Sequence, residues 1–206
     1  EGQNFASDAR IAFAKAISGA EGSDGALKLT RWRSGKTEAV MLKLAVLGTY
    51  SATAPFECGK SKRILDLGCA SLSQRMASAD YTKHLDPIPR ALNALALLAS
   101  GNQAYAPLLK REAQWAADFT TDGYLSWYYG FMMAYVSEYI MMTGDTSVMP
   151  GLKRLALETA HGQSAVGTWG HRCSPNGYNL SGYGAMNAPG IPLTIGMVLA
   201  REAGVK

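Results

Sequence analysis

The chain has 206 residues, 48% hydrophobic and 17% charged, with a formal net charge of +4, which supplies ample material for a packed core and excludes a disordered or fibrous chain. Residues 1–63 carry ten Lys/Arg against six Asp/Glu, whereas residues 64–206 carry ten of each, so all the net charge lies in the first part, dispersed along strands and a helix start as a solvated face rather than a nucleic-acid surface. The longest apolar stretch, 131–142, is interrupted by Ser137 and Glu138 and falls short of the ~20 residues that a membrane-spanning helix needs.

In chain order, Ser7 or Asp8 is placed to cap a helix whose Ala9, Phe13, Ala16, Ile17 and Ala20 share one face, and the glycines from Gly22 to Gly25 stop it. Two strands follow, over 26–33 and 38–44, with Ser34-Gly35 at a tight turn that requires positive φ. One helix and two strands cannot bury a core by themselves, so residues 1–47 are expected to be part of a larger domain. Residues 48–60 have the composition of a linker. Beyond it the pattern predicts helices near 60–78, 87–100, 103–117, 124–143, 147–161 and 189–203, with Pro87, Pro89 and Pro189 in first turns, where no amide donor is needed. Glu1 as first residue makes the chain read as a processed or excised piece. Localisation is then open, with an extracytoplasmic one favoured. Cys58, Cys69 and Cys173 form no disulfide framework and read as buried free thiols, one bridge remaining as the alternative.

The helical region repeats itself. Gly101-Asn102 with Pro107, Leu109, Lys110 and Arg111 returns 43 residues on as Gly144-Asp145 with Pro150, Leu152, Lys153 and Arg154, the mark of stacked helical hairpins. The helices over 87–100, 124–143 and 189–203 are apolar nearly all round and are expected inside; those over 103–117 and 147–161 carry charge on one side and are expected outside. This alternation predicts a mainly α fold of two concentric layers, an α/α-toroid, with an α-solenoid as the alternative.

Three resemblances sharpen the reading. Gly2-Gln3, Ser7-Asp8, the amphipathic helix and the stretch from Leu27 through Trp32 to Lys36 resemble the C-terminal half of a bacterial PDZ domain. That implies a small α+β piece over 1–47 and, in a complete PDZ domain, a partner peptide or protein C-terminus bound as an added strand. Gln163, Gly167 and Trp169, spaced Q-x-x-x-G-x-W, resemble the structural motif of the squalene and oxidosqualene cyclases, which implies that these three brace the fold. The stretches 123–130, 138–145, 162–171 and 182–190 resemble an uncharacterised bacterial family in which a PDZ domain precedes an α/α-toroid of the terpenoid cyclase and prenyltransferase-like superfamily. The implied layout is 1–47 PDZ-like, 48–60 linker and 61–206 an incomplete toroid, about half of the usual twelve helices, truncated or closed by self-association.

In α/α-toroids the ligand cavity opens at the N-termini of the inner helices, here approached by loops 79–86, 118–123 and 162–188. The third of these lengthens the 43-residue interval to some 60, as a binding element would. The candidate catalytic residues are Asp122 and His171, and the candidate ligand-binding residues are Tyr124, Trp127, Tyr128, Arg172, Tyr183 and Asn187. Asp86 and Asn187 also read as helix caps, and Glu138 as a hydrogen-bonded anchor in an apolar helix rather than a general acid. His171 and Cys173 lack further ligands for zinc, so neither metal nor cofactor is expected. No two aspartates are adjacent, so the Asp-rich signature of terpene cyclisation is missing, and the Cys and His pattern of protein prenylation and lanthionine cyclisation is missing too. Two functions remain: a binding or scaffolding protein, preferred, and a hydrolase or lyase acting on a saccharide or similar elongated ligand, with Asp122 as acid or base and Trp127 and Tyr128 as a stacking platform.

Overall fold

The computed structural model describes residues 8–81, 85–121, 125–173 and 184–206. They are mainly helical, with one two-stranded antiparallel sheet: α1 Ala9–Glu21, β1 Ala26–Arg33, β2 Lys36–Lys43, α2 Gly59–Ala77, α3 Pro87–Ala99, α4 Ala106–Asp118, α5 Leu125–Thr143, α6 Met149–His161 and α7 Asn187–Glu202. The chain divides into two compact units, Glu1–Gly68 and Cys69–Lys206.

In the first unit Asp8 caps α1 by accepting from the amides of Arg10 and Ile11, which satisfies donors that the first helical turn leaves open. β1 and β2 pair from Ala26 opposite Lys43 to Arg33 opposite Lys36. Leu27 is buried while Leu29 and Val40 are half-buried, so the sheet has one covered face and one in water. Gly25 has φ +76°, and a Cβ there would collide with the Leu44 carbonyl; glycine is therefore required where the chain enters β1.

The second unit is organised around α5, which packs on α3, α4, α6 and α7, while α4 also packs on α6. α3, α5 and α7 make one layer and α4 and α6 the other. The repeated sequence becomes repeated geometry. Gly101 and Gly144 have φ +66° and +72°; Asn102 and Asp145 then each accept from the amide two residues on, at 3.0 Å. A single 3₁₀ turn follows (Gln103–Tyr105 and Thr146–Val148), and Pro107 and Pro150 stand in the first turns of α4 and α6. Arg111 of α4 donates to the Met76 carbonyl at the end of α2, 2.7 Å. Arg154 of α6 does the same to Ala117 and Phe119 at the end of α4, 3.0 and 2.7 Å. The α5–α7 seam is made close by glycine on both sides: Gly130 lies against Pro192 and Leu193, Gly196 against the Gly130 carbonyl and Met133.

One expectation about the layers needs correcting. The charged side of α4 does not simply face water: Glu112 is 0% exposed and receives Arg90 Nε of α3 at 2.6 Å and Arg111 Nε and Nη2 at 2.9 and 2.7 Å. Arg90 also lies 3.8 Å over the Trp115 ring. A buried carboxylate must be matched by charge and hydrogen bonds, and here two guanidinium groups supply both. Truncating Glu112→Ala strands that positive charge between the layers and should lower the unfolding free energy by about 3–5 kcal/mol in urea titration; a loss under about 1 kcal/mol would show that the network is not load-carrying for the layers.

Candidate functional site

The segment after α6 is built by its own hydrogen bonds. Gly167, at φ +79°, closes a turn in which its amide donates to Ser164 O (2.9 Å), Ser164 N and Oγ both donate to Thr168 O (2.9 and 2.8 Å), and Gln163 Nε2 donates to Gly167 O (2.7 Å). Trp169, buried, turns its indole N–H onto the Thr159 carbonyl in the last turn of α6, 2.9 Å. Gln163, Gly167 and Trp169 thus act together on one helix end. Trp169 plays toward α6 the part that Arg111 and Arg154 play toward α2 and α4.

From there the chain is clasped to the start of α5. Ser126 Oγ donates to the carbonyls of Gly170 and His171, 2.9 and 2.5 Å. Trp127 Nε1 donates to His171 Nδ1 at 3.0 Å, and the two rings stack with centroids 5.7 Å apart. With Nδ1 accepting, the neutral imidazole carries its proton on Nε2. Tyr128 packs edge-on against Phe119, 5.7 Å between centroids. The two rings nominated as a stacking platform are therefore engaged within the protein. Met186 stands at the cap position of α7 and Asn187 is its exposed first residue, so Asn187 is not the cap. Asp86 does cap α3, accepting from the Ile88 amide at 2.9 Å. Arg172 is exposed beside His171. Asp122, Tyr124 and Tyr183 lie outside the described residues, as do His84, Asn176 and Asn179.

Sequence reasoning missed a polar cluster under this segment. Tyr129 OH donates to Glu158 at 2.5 Å and accepts from Arg154 at 3.2 Å, and Arg154 also holds Glu158 at 3.1 Å. Burial first, and then the Glu158 hydrogen bond, push the Tyr129 phenol up to about 12. Burial, reinforced by Glu158, raises the Cys173 thiol to about 11. The Arg154 and Glu158 spacing of one helical turn was the available signal; Tyr129 comes from another helix, and nothing local announces it.

The opposite, turn end holds an open cavity of about 570 Å³ bordered by Leu98, Pro107, Lys110, Tyr139 and Met142. Two of its polar groups are engaged: Asp145 takes Lys110 at 3.1 Å and the Tyr139 hydroxyl at 2.9 Å. Among the described residues, the face of α5 left uncovered by its four neighbours runs through Phe131, Ala134, Glu138, Met141 and Met142. Uncovered stripes also run along α3 through Leu92, Ala96 and Ala99, and along α7 through Ile191, Ile195 and Val198. Glu138 is half-buried on this face and has no hydrogen-bond or ion-pair partner among the described residues.

In the first unit, Cys58 precedes α2 and lines a cavity of about 580 Å³ with Pro55, Ser61, Lys62 and Leu65. The Ser61 hydroxyl, then the amides of Ser51 and Ser61, donate to its sulfur and hold the thiol down at about 6. Among the described residues no cluster of three or more His, Cys, Asp or Glu could hold a metal ion, and no helix is long and apolar enough to cross a membrane.

Because the thiolate is the reacting form, alkylation by iodoacetamide should set in at Cys58 with a midpoint near pH 6 and leave Cys173 unmodified until strongly alkaline pH, as read by peptide mapping over a pH series. A Cys58 midpoint near the ordinary ~8.5 would contradict the hydrogen bonding described. Trp169→Phe keeps the packing and loses the bond to Thr159, so it should cost about 1 kcal/mol, whereas Trp169→Ala should cost about 3–5 kcal/mol in the same unfolding assay.

No curated protein and no solved structure matches the chain. A family model, described as a domain of unknown function, DUF6288, matches residues 61–206, which include α3 to α7, the segment after α6 and the uncovered face. The chain belongs to the DUF6288 family.

Proposed function

We propose that the chain is a binding or scaffolding protein, in which the helices from residue 61 on form a sector of an α/α-toroid cup and residues 1–47 are the C-terminal half of a PDZ-like peptide-recognition domain. Three features support the toroid: α3, α5 and α7 form one layer and α4 and α6 the other, the turn between layers returns with the same dihedral sign, and each outer helix is tied to the end of the one before. The PDZ-like reading is supported by the succession of a capped helix and a tight antiparallel hairpin.

The observation that carries the binding function is the uncovered face of the inner helices. Ile191, Ile195 and Val198 are each more than half exposed, and Leu92, Met141 and Met142 nearly so or more. Exposed apolar side chains on three helices of one layer are a surface of the kind that soluble proteins keep for binding. Its chemistry selects an elongated, largely apolar occupant. The saccharide hydrolase or lyase reading asks instead for polar lining and two carboxylates across a bond. Glu138 is the carboxylate in the middle of the α5 stripe, and Asp122 lies outside the described residues.

The test is a thermal-shift screen of the full chain against long-chain fatty acids, isoprenoid diphosphates, C-terminal peptides and oligosaccharides. An apolar amphiphile at about 100 times its Kd should stabilise by about 2.7 kcal/mol, or some 5–10 °C for a chain of this size. Ile195→Asp with Met141→Asp should abolish the shift while leaving unfolding in the absence of ligand cooperative. Stabilisation by an oligosaccharide that is then cleaved, with the activity lost in Asp122→Asn, would replace this reading with the hydrolase.

A further inference from the structure

The two turns between inner and outer helices share a backbone but not a filling. At the 43-residue offset, Ala106 at the start of α4 is the counterpart of Met149 at the start of α6, and each is followed by proline, Pro107 and Pro150. Met149 is half-buried and packed against the core of the second unit. Its Cε lies 3.8 Å from where a Cβ on Gly204 would stand, at the positive-φ glycine just past α7. At the first hairpin the corresponding glycine is Gly144, just past α5, and nothing lies within 4 Å of the same place. Alanine is too short to span that gap, and Ala106 borders the turn-end cavity of about 570 Å³. The cavity is not at an end of the helical stack: α4 packs on α6, and Arg111 bonds it to the end of α2.

The lining combines apolar walls with unused amide donors. Leu98, Pro107 and Met142 offer hydrocarbon and thioether contact, and Lys110, the charged residue of the lining, is paired with Asp145. Asn102 and Gln103 border the cavity and are exposed. The side-chain oxygen of Asn102 accepts from the Ala104 amide at 3.0 Å, which leaves its NH2 group, like the Gln103 carboxamide, without a hydrogen bond among the described residues. The second hairpin has Asp145 and Thr146 at these positions. Carboxamide donors thus stand at the hairpin that lacks the methionine.

We infer that this cavity takes a methionine side chain from a peptide segment of a partner protein, whose backbone carbonyls accept from Asn102 and Gln103. Met149 fills the equivalent place from within the chain, and an unbranched thioether is the side chain that adapts best to an irregular gap. The carboxamides supply the few oriented polar contacts that fix a ligand in a mostly apolar pocket. Because Lys110 and Asp145 already neutralise each other, a charged side chain would lose hydration there without gaining a free counter-charge. The site is separate from the uncovered face of the inner helices, which it meets at Met142.

The amide resonances of the full chain are followed while N-acetyl-methionine methylamide is titrated in. Shifts are expected at Gly101, Asn102, Gln103 and Lys110 with a Kd of about 1 mM, and the alanine and aspartate analogues of the probe should bind roughly tenfold more weakly or worse. Ala106→Met fills the cavity with the residue that already precedes proline at the second hairpin; it should abolish the shifts and raise the thermal midpoint by about 2–4 °C. Asn102→Asp keeps the acceptor that caps the turn, removes the NH2 donors and should weaken the probe several-fold. Stabilisation by an apolar amphiphile should persist in Ala106→Met, so the two sites fail independently. No shifts up to the solubility limit of the probe, equal binding of the aspartate analogue, or unaltered binding in Ala106→Met would each overturn the inference.

Discussion

The second unit depends on one recurring contact, a side-chain donor from each element laid onto the C-terminal carbonyls of the outer helix before it. Arg111 meets Met76 at the end of α2, Arg154 meets Ala117 and Phe119 at the end of α4, and Trp169 meets Thr159 at the end of α6. A helix end leaves carbonyls without intrahelical partners and carries the negative pole of the helix dipole, so a guanidinium satisfies both needs together. The contact also sets position along the stack. If α6 slid by one turn against α4, Arg154 would lose two acceptors at once, and Gly151, which lies against Ala117 with no room for a Cβ, would be replaced at the contact by a larger side chain.

Each strap is itself held by a carboxylate, and the two cases differ in an instructive way. Arg154 is paired with Glu158 one turn along its own helix, and both are partly in water. Arg111 is paired with its neighbour Glu112, which is wholly buried and also holds Arg90 from the inner layer. At the first hairpin, therefore, one network ties three helices, α2, α3 and α4. At the second hairpin the position equivalent to Glu112 is Leu155, and that equivalent to Arg90 is Met133, both buried. Salt-bridged and apolar versions of the same place coexist in one protein, as expected if either filling can complete the seam once it is fully matched.

What the sequence made legible was whatever is encoded locally. Asn102 and Asp145, Gly101 and Gly144, Asp8 and Asp86 declare turns and caps through their own backbone chemistry, and the structure has them there. The Gln163 to Trp169 spacing is local too, and in the fold Gln163 bonds to the Gly167 carbonyl and Trp169 to the Thr159 carbonyl. Glu112 escaped because its partner Arg90 is 22 residues away on another helix, although its place on the apolar stripe with Leu109, Ala113 and Ala116 was the available sign. Trp127 and His171, 44 residues apart, were nominated separately, and only the fold shows that they hydrogen-bond to each other. Glu138, expected to be hydrogen-bonded, has no partner among the described residues and lies on the side of α5 that its four neighbouring helices leave open.

That open side leaves apolar side chains in water, while a few matched polar groups lie in a seam that is otherwise mostly hydrocarbon. Among the buried apolar side chains between the layers lie Glu112, held by Arg90, and the Tyr135 hydroxyl on the Leu109 carbonyl, while Tyr129 is bonded to Arg154 and Glu158, which are partly in water. On the uncovered face of α3, α5 and α7, where charge would favour solubility, lie Leu92, Phe131, Met141, Ile191, Ile195 and Val198. Hydrogen bonds between the layers fix each helix about its own axis, because a buried donor displaced from its acceptor costs more than a displaced methyl group. Held in that orientation, the helices cannot roll to bury their apolar stripes. An occupant that covers the apolar face gains hydrophobic free energy without requiring the helices to rearrange.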